Sequence, residues 1–148
     1  MDSSMTAALV AALRAGDARR FLRLHTALGS GVLVAETFDG LEQIDGAGFQ
    51  WSITALSLEA GLPLDELIGQ PALLQLELAN SDLRAFHGRI TAVERIGSNG
   101  GLARYRLRLQ PWLAFLGQRV DSYVFHDVCV VAIVEDVFAE HTGLGPAW

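Results

Sequence analysis

The chain has 148 residues, of which 11 are basic and 17 are acidic, and its formal net charge is −6. A single cysteine excludes an internal disulfide scaffold, and 51% hydrophobic against 19% charged residues excludes a disordered chain. The acidic balance disfavours nucleic acid as a partner, because phosphate is repelled unless basic residues are segregated into a patch.

Residues 1–18 are rich in alanine and predict either a weakly ordered arm or a short helix. Thr6 could cap such a helix, and Gly16 would end it. The segment lacks the cationic region and the clear cleavage site of an export signal. The sequence therefore predicts a protein made without a signal peptide.

Alternation of apolar and polar residues predicts six β-strands between residues 21 and 110. The glycine- and asparagine-rich connection from Gly97 to Gly101 is typical of a hairpin, because these residues adopt positive φ at low cost. Residues 39–48 are predicted as a loop, and residues 64–68 as one helical turn. The predicted strands span residues 21–28, 32–38, 49–56, 72–78, 83–96 and 102–110.

The pattern is weaker after residue 111. Residues 120–125 predict a seventh, short strand. Asp127 could cap a helix over residues 128–140, and Cys129 in that helix is predicted to be an inert thiol in the core. The apolar residues that would share one face of the helix are Val130, Ile133, Val134 and Val137.

Six or seven strands followed by a helix indicate a mainly β chain of the α+β class. Several short strands separated by turns favour a barrel or a sandwich, and closure into a barrel would remove the exposed sheet edges. We therefore predict an antiparallel β-barrel of six to seven strands, with a short N-terminal helix and a C-terminal helix.

The apolar fraction is high for a single soluble domain, yet no apolar run approaches the roughly 18 residues of a membrane span. We therefore expect no membrane insertion. The excess indicates either a large core or a surface that meets other subunits, and composition leaves both open.

Motifs of catalysis and of metal binding are missing from the sequence. It contains no G-x-S-x-G elbow, no H-E-x-x-H and no Walker A loop. His126-Asp127 could be half of a triad but lacks an obvious nucleophile, and adjacent carboxylates such as Glu135-Asp136 point apart on a helix. The four histidines lack metal-ligand spacing. The sequence therefore predicts a protein that is not an enzyme and that holds no cofactor and no metal.

The strand predicted over residues 102–110 has a basic face and an apolar face. Its basic face admits three interpretations: a solvated exterior, a docking surface for an acidic partner or part of a channel lining, and a site for single-stranded nucleic acid. Nucleic acid is disfavoured because no aromatic side chain lies between the basic ones. The basic residues are Arg104, Arg106 and Arg108, and the apolar ones are Tyr105, Leu107 and Leu109.

An ordered set of short motifs resembles the N-terminal region of VgrG, the spike protein of type VI secretion. That region is similar to the baseplate hub, or late-control D protein, of contractile phages. The resemblance covers residues 21–141, nearly the whole chain. Its motifs are LDELIGQP at 64–71, RAFHG at 84–88, Ile90-Thr91, GLARYRL at 101–107 and LQPWL at 109–113.

The resemblance implies a hub β-barrel over residues 19–141, preceded by the arm at 1–18 and followed by the start of a linker at 142–148. It implies that full-length members form homotrimers, dock on a hexameric tail tube built from Hcp, and carry effector or adaptor proteins. It also implies assembly in the bacterial cytoplasm and secretion by the type VI machine. For the 148-residue chain alone we expect a monomer or a weak oligomer.

The resemblance implies structural rather than binding roles for most motif residues. One departure concerns the family element Ser-Arg-Ile-Phe-Gln, which reads Ser122-Tyr123-Val124-Phe125-His126 here and so lacks the arginine. Two alternatives stay open: a baseplate hub of a contractile phage or phage-like particle, and a small ligand-binding or hydrolytic β-barrel. The motif residues with implied structural roles are Gly69, Pro71, Phe86, His87, Gly88, Tyr105, Pro111 and Trp112.

Overall fold

Six antiparallel strands form a single sheet in the computed structural model, which describes residues 21–44, 48–99, 101–141 and 143. The strand order is β1-β4-β5-β6-β3-β2, and contacts between the end strands β1 and β2 show that the sheet curls into a half-barrel. The predicted mainly β, antiparallel class is confirmed. The strands are β1 (Leu22–His25), β2 (Val34–Glu42), β3 (Phe49–Ser57), β4 (Pro71–Glu77), β5 (Leu83–Asn99) and β6 (Leu102–Gln110).

The chain divides into two compact units, Met1–Pro111 and Trp112–Trp148. The first contains the sheet and, among its described residues, one 3-10 turn, Asp65–Leu67. The second contains a 3-10 segment, Trp112–Gln118, and the helix α1 (Val130–Ala139), which confirms the predicted C-terminal helix. No helix in the described part of the chain is long and apolar enough to span a bilayer.

One face of the sheet is buried and the opposite face is exposed. On β6 the alternation is strict, since Tyr105, Leu107 and Leu109 are buried and the residues between them are exposed. Burying one large apolar side chain contributes roughly 1.5–3 kcal/mol, so this face supplies most of the stability of the sheet. The largest fully buried side chains are Tyr105, Ile53, Leu67, Leu74, Ile90, Leu107 and Leu109.

The long strand β5 bends because its pairing with β6 shifts register twice, between Ile90 and Ala92 and between Arg95 and Gly97. Such bulges kink a strand and increase its twist. Gly88 lies just before the first shift, where an added Cβ would lie 3.0 Å from both the Gln110 carbonyl oxygen and a Phe49 ring carbon. A residue without a side chain therefore allows β5 to pass close to its neighbours at the bend.

Four aromatic rings pack together on the buried face, from Phe38, Phe49, Trp51 and Phe86. The centroid of Trp51 lies 5.3 Å from the centroids of Phe49 and Phe86 and 5.7 Å from that of Phe38. Gly40 pairs with Trp51 across β2 and β3, and a Cβ at Gly40 would overlap Cε3 of the indole. The indole can therefore lie across β2 only because position 40 has no side chain.

Two predictions about the strands were wrong. The loop expected at 39–48 begins later, because β2 continues to Glu42 and pairs Leu41 with Gln50 and Glu42 with Phe49. Cross-strand pairing overrides the weak strand preference of this acidic, glycine-containing stretch. The seventh strand expected at 120–125 does not form, since no described strand pairs with these residues.

Three predictions about the start of the helix were also wrong. α1 begins at Val130, and Asp127 does not cap it: Asp127 has a φ of 54°, and Cys129 is the N-cap residue. Cys129 is exposed, so it is not a core thiol. Val130 is 75% exposed, so it does not share the half-buried side of α1 with Ile133, Val134 and Val137. The short N-terminal helix or arm expected at 1–18 lies outside the described residues.

We predict that Gly40→Ala destabilises the protein by about 1–3 kcal/mol, because the new methyl group overlaps the Trp51 ring and lies 2.7 Å from the Gln50 carbonyl oxygen. Urea unfolding followed by tryptophan fluorescence measures the change. Gly97→Ala is the matched control in another strand, since a Cβ there meets no described atom within 4 Å. Equal stability of the two variants would contradict the steric explanation.

Candidate interaction surface

The exposed face of β6 carries a row of three arginines, Arg104, Arg106 and Arg108. Arg104 Nη2 lies 2.7 Å from Oε1 of Glu36, and Arg106 Nη1 lies 2.9 Å from Oε1 of Glu94. Both pairs are solvent-exposed, so each stabilises the fold by about 1 kcal/mol at most. We call this surface, made by the three arginines, the two glutamates and the flanking Ser52 and Thr54 of β3, the arginine face.

Arg108 differs from the other two arginines because it forms no ion pair with any described residue. Its cross-strand neighbour on β3 is Ser52, and the same row continues to Asp39 on β2. Two strand spacings separate Arg108 from Asp39, about 10 Å between backbones. The guanidinium of Arg108 is therefore the cation on this row that stays available to a partner.

Sequence reasoning found the arginines but missed the glutamates that pair with them. Glu94 lies directly opposite Arg106 in the β5–β6 ladder, so knowledge of the register would have identified it. Glu36 is the extra residue at the bulge of β2 and reaches Arg104 across β3. A bulge cannot be located from alternation alone, so no signal in the sequence indicated this second pair.

The motif residues around position 70 form the entry to β4. Gly69 has a φ of 79°, which favours glycine, and its N–H donates to the Ile90 carbonyl at 2.8 Å. Arg89 Nη1 donates to the Gly69 carbonyl at 2.8 Å, and Pro71 begins β4 opposite Arg89. These hydrogen bonds join the turn to β5.

The RAFHG motif runs along β5 with its side chains alternating between the two faces. Phe86 lies in the aromatic cluster, and the Arg84 guanidinium lies 4.8 Å from its ring centroid. His87 is exposed on the opposite face, where it pairs with Leu73 of β4. Glu42, Phe49 and this stretch line a small cavity of about 130 Å³ at the rim of the aromatic cluster.

Tyr105 is the one polar side chain among the largest buried ones in the described residues, and its hydroxyl has a partner. Tyr105 Oη donates to the Glu59 carbonyl at 2.8 Å, and the Glu59 N–H donates to Oγ of Ser57 at 3.1 Å. The ring thus fills the core while its hydroxyl fixes the loop after β3.

Pro111 and Trp112 lie on either side of the division between the two units. Pro111 follows β6 and contacts the position that a Cβ at Gly48 would occupy, at 3.0 Å. Trp112 begins the second unit and meets Phe138 of α1 edge-on, with ring centroids 4.6 Å apart. Each residue therefore packs within its own unit.

A network centred on Arg119 links the extended stretch of the second unit to the end of α1. Arg119 Nη2 lies 2.8 Å from Oδ2 of Asp121 and 2.7 Å from the Tyr123 hydroxyl, and Nη1 pairs with Glu140. The alternate spacing of residues 119, 121 and 123 was a usable signal, but the sequence did not show that Glu140 would meet them. The network borders a shallow cavity of about 180 Å³.

The charges of this network do not resemble those of a catalytic site. The hydrogen bonds that Arg119 donates to Asp121 and Glu140 raise the pKa of Arg119, and the hydrogen bond from Arg119 lowers the pKa of Asp121. Desolvation and the hydrogen bond with Asp121 raise the pKa of Tyr123. Every shift moves a pKa away from neutral pH, whereas a general acid or base needs a pKa near it. The described residues also hold no group of three or more His, Cys, Asp or Glu placed for a metal ion.

Comparisons with known proteins agree on one family. The model of the family described as "Phage tail baseplate hub (GPD)" matches residues 42–147. The type VI secretion system spike proteins VgrG1b and VgrG1a of Pseudomonas aeruginosa are 36% and 31% identical to this chain over 121 and 119 residues. These matches cover 82% and 80% of this chain but 16% and 18% of the relatives, so the chain spans less than a fifth of their length.

A solved structure gives the same result for the fold. The c3393 protein of E. coli matches with a TM-score of 0.64 and 26% sequence identity, over 82% of this chain and 32% of that chain. It is described as a component of the type VI secretion system that exhibits structural similarity to the bacteriophage T4 tail proteins gp27 and gp5. The predicted resemblance to VgrG and to phage hubs is confirmed.

We predict that Tyr105→Phe lowers the free energy of unfolding by about 1 kcal/mol, because the part-buried hydrogen bond to the Glu59 carbonyl is lost while the ring still fills the core. Chemical denaturation measures the difference. Arg104→Gln is the control, since it removes an exposed ion pair of small value. A larger loss in the control than in Tyr105→Phe would contradict this prediction.

We predict that acid weakens the Arg119 network. Because the folded-state pKa of Asp121 is lowered, its contribution is present above the unfolded value of about 3.9 and is lost as the pH falls through the folded value. An NMR titration of the Asp121 carboxyl should give a higher midpoint in Arg119→Gln than in the parent protein. Arg108→Gln serves as the control and should leave the midpoint unchanged; equal midpoints in all three proteins would refute the coupling.

Proposed function

Because this chain belongs to the phage tail baseplate hub family, we propose that it forms the hub of a VgrG-like spike of a type VI secretion system. In this role it trimerises within the full-length protein, docks on a tail tube of Hcp hexamers and helps to carry effectors through the cell envelope. The observation that carries the proposal is the 36% identity to a type VI spike protein over 82% of the chain.

The surfaces of the described structure support a role in assembly. The concave face is filled by apolar and aromatic side chains, which leaves a rigid sheet rather than a binding chamber. Several large apolar side chains are exposed on the sheet unit, among them Phe21 at 72% and Leu41 at 57%. Exposed apolar area of this kind is typical of surfaces that meet other proteins. A mechanical part of a larger particle requires these properties and needs no catalytic group.

Assembly in the bacterial cytoplasm and secretion by the type VI machine follow from the same proposal. The relatives are named as spike proteins of this system, and the chain is similar to less than a fifth of each. The predicted boundaries, with an arm at 1–18, a hub domain at 19–141 and a linker at 142–148, belong to the proposal as well. The motif residues, from Gly69 to Trp112, retain their structural roles in it.

A second candidate function is the baseplate hub of a contractile phage or phage-like particle. The observation that favours it is the family model itself, which describes phage tail hubs and matches residues 42–147. A small ligand-binding or hydrolytic barrel has less support, because apolar and aromatic side chains fill the buried face of the sheet.

Co-sedimentation with assembled tail tubes tests the proposal. We expect the chain to pellet with tubes of Hcp and to stay in solution with unassembled Hcp, because the hub meets the end of a complete ring. Tubes of a contractile phage provide the comparison. Capture by phage tubes alone would favour the second candidate, and capture by neither kind of tube would contradict both.

A further inference from the structure

We propose that the exposed face of helix α1 in one copy of this chain docks on the arginine face of a second copy. The inference rests on the proposed function, since it names the partner of a surface in a hub that assembles from several copies. It also decides among the three interpretations of the basic strand in favour of a protein docking surface. The partner is acidic, helical and supplied by the same chain.

The acceptor surface has one cation without an ion pair among the described residues, and small side chains of β3 lie beside it. Glu36 and Glu94 neutralise Arg104 and Arg106, but Arg108 has no ion pair among the described residues. The neighbours of this row on β3 are the small polar residues Ser52 and Thr54. A helix can approach closely there, because no large side chain of β3 stands in its way.

The donor surface is the side of α1 that carries Val131 and Glu135. These residues are one helical turn apart and both are exposed, with Val131 at 60%. Glu135 has no ion pair with a described residue. The unit Trp112–Trp148 carries one arginine and five carboxylates, and that arginine, Arg119, is already engaged by Asp121 and Glu140. The donor is therefore acidic where the acceptor has a free guanidinium.

The dimensions of the two surfaces agree. The ten residues of α1 are about 15 Å long, and the run from Arg104 to Arg108 covers about 14 Å along β6. Because the helix and the sheet face are different surfaces, each copy can donate to one neighbour and accept from another. Such a head-to-tail contact closes into a ring when the rotation between copies permits it. A second copy therefore fits better than an unrelated acidic protein, because a partner without an arginine face of its own could not accept the next copy and the ring would not close.

Charge reversal tests the contact, with self-association of the 148-residue chain measured by sedimentation velocity at low salt. We expect Arg108→Glu and Glu135→Arg each to weaken association roughly tenfold or more, because each places like charges together. The double variant should restore association to about the parent level. Raising the salt concentration should weaken the parent and the double variant alike.

Two matched controls keep the result specific. Asp136→Arg makes the same charge change one residue along α1, on the side that lines a cavity with Tyr123 and Phe125. Arg95→Glu makes the reverse change on β5, where Arg95 donates to the Ala60 carbonyl. Neither should alter association by more than about twofold. If Arg108→Glu fails to fold, as judged by circular dichroism, Arg108→Gln with Glu135→Gln replaces the swap and should show non-additive losses.

The outcomes separate this inference from the proposed function. Unchanged association in the single variants, failure of the double variant to restore it, or a parent that stays monomeric at millimolar concentration would each overturn the contact. Binding of an unrelated acidic helix with no self-association would do the same. The proposed function is judged independently by tube binding, so a chain that pellets with Hcp tubes but ignores the charge swap would retain it.

Discussion

Successive side chains of a β-strand must point to opposite faces, and on β6 this geometry couples the core to the surface. Tyr105, Leu107 and Leu109 fill the concave face, so the residues between them are forced outward. Both of those outward positions, 106 and 108, hold arginine, and Arg104 lies outward just before Tyr105. The same strand therefore sets both the hydrophobic burial that stabilises the sheet and the charge on its exposed face. A shift of one residue in the register of β6 would change both together.

Much of the sheet could be predicted because its signals are local. Alternation located β3 and β6 to within a residue, and the glycine-rich connection located the hairpin between β5 and β6. The continuation of β2 to Glu42 could not be predicted, since it depends on pairing with residues 49–52 of β3. Residues 120–125 show the converse. They include β-branched residues that favour a strand, but no described strand pairs with them.

The same distinction applies to the candidate site: residues close in sequence could be predicted, but partners distant in sequence could not. The arginine row is visible in five consecutive residues, whereas its partner Glu36 lies 68 positions before Arg104 and is reached at a bulge. The apolar neighbours of Cys129 in the sequence predict a thiol in the core. The helix begins at Val130, so Cys129 is the N-cap residue and its thiol is exposed. The alternation of apolar and polar residues identifies which side chains share a face of the sheet. The pairing register and the helix boundaries then determine which of those side chains are in contact.

The guanidinium of Arg108, which has no ion pair in the described part of the chain, also limits what can cover the middle of this sheet. Removing such a group from water costs several kcal/mol unless an acceptor replaces the lost hydration. This cost disfavours binding of an apolar or cationic surface there, whereas a surface with a correctly placed carboxylate offsets the cost. A cation that lacks a partner among otherwise paired charges thus adds little to the strength of an interface and much to its selectivity.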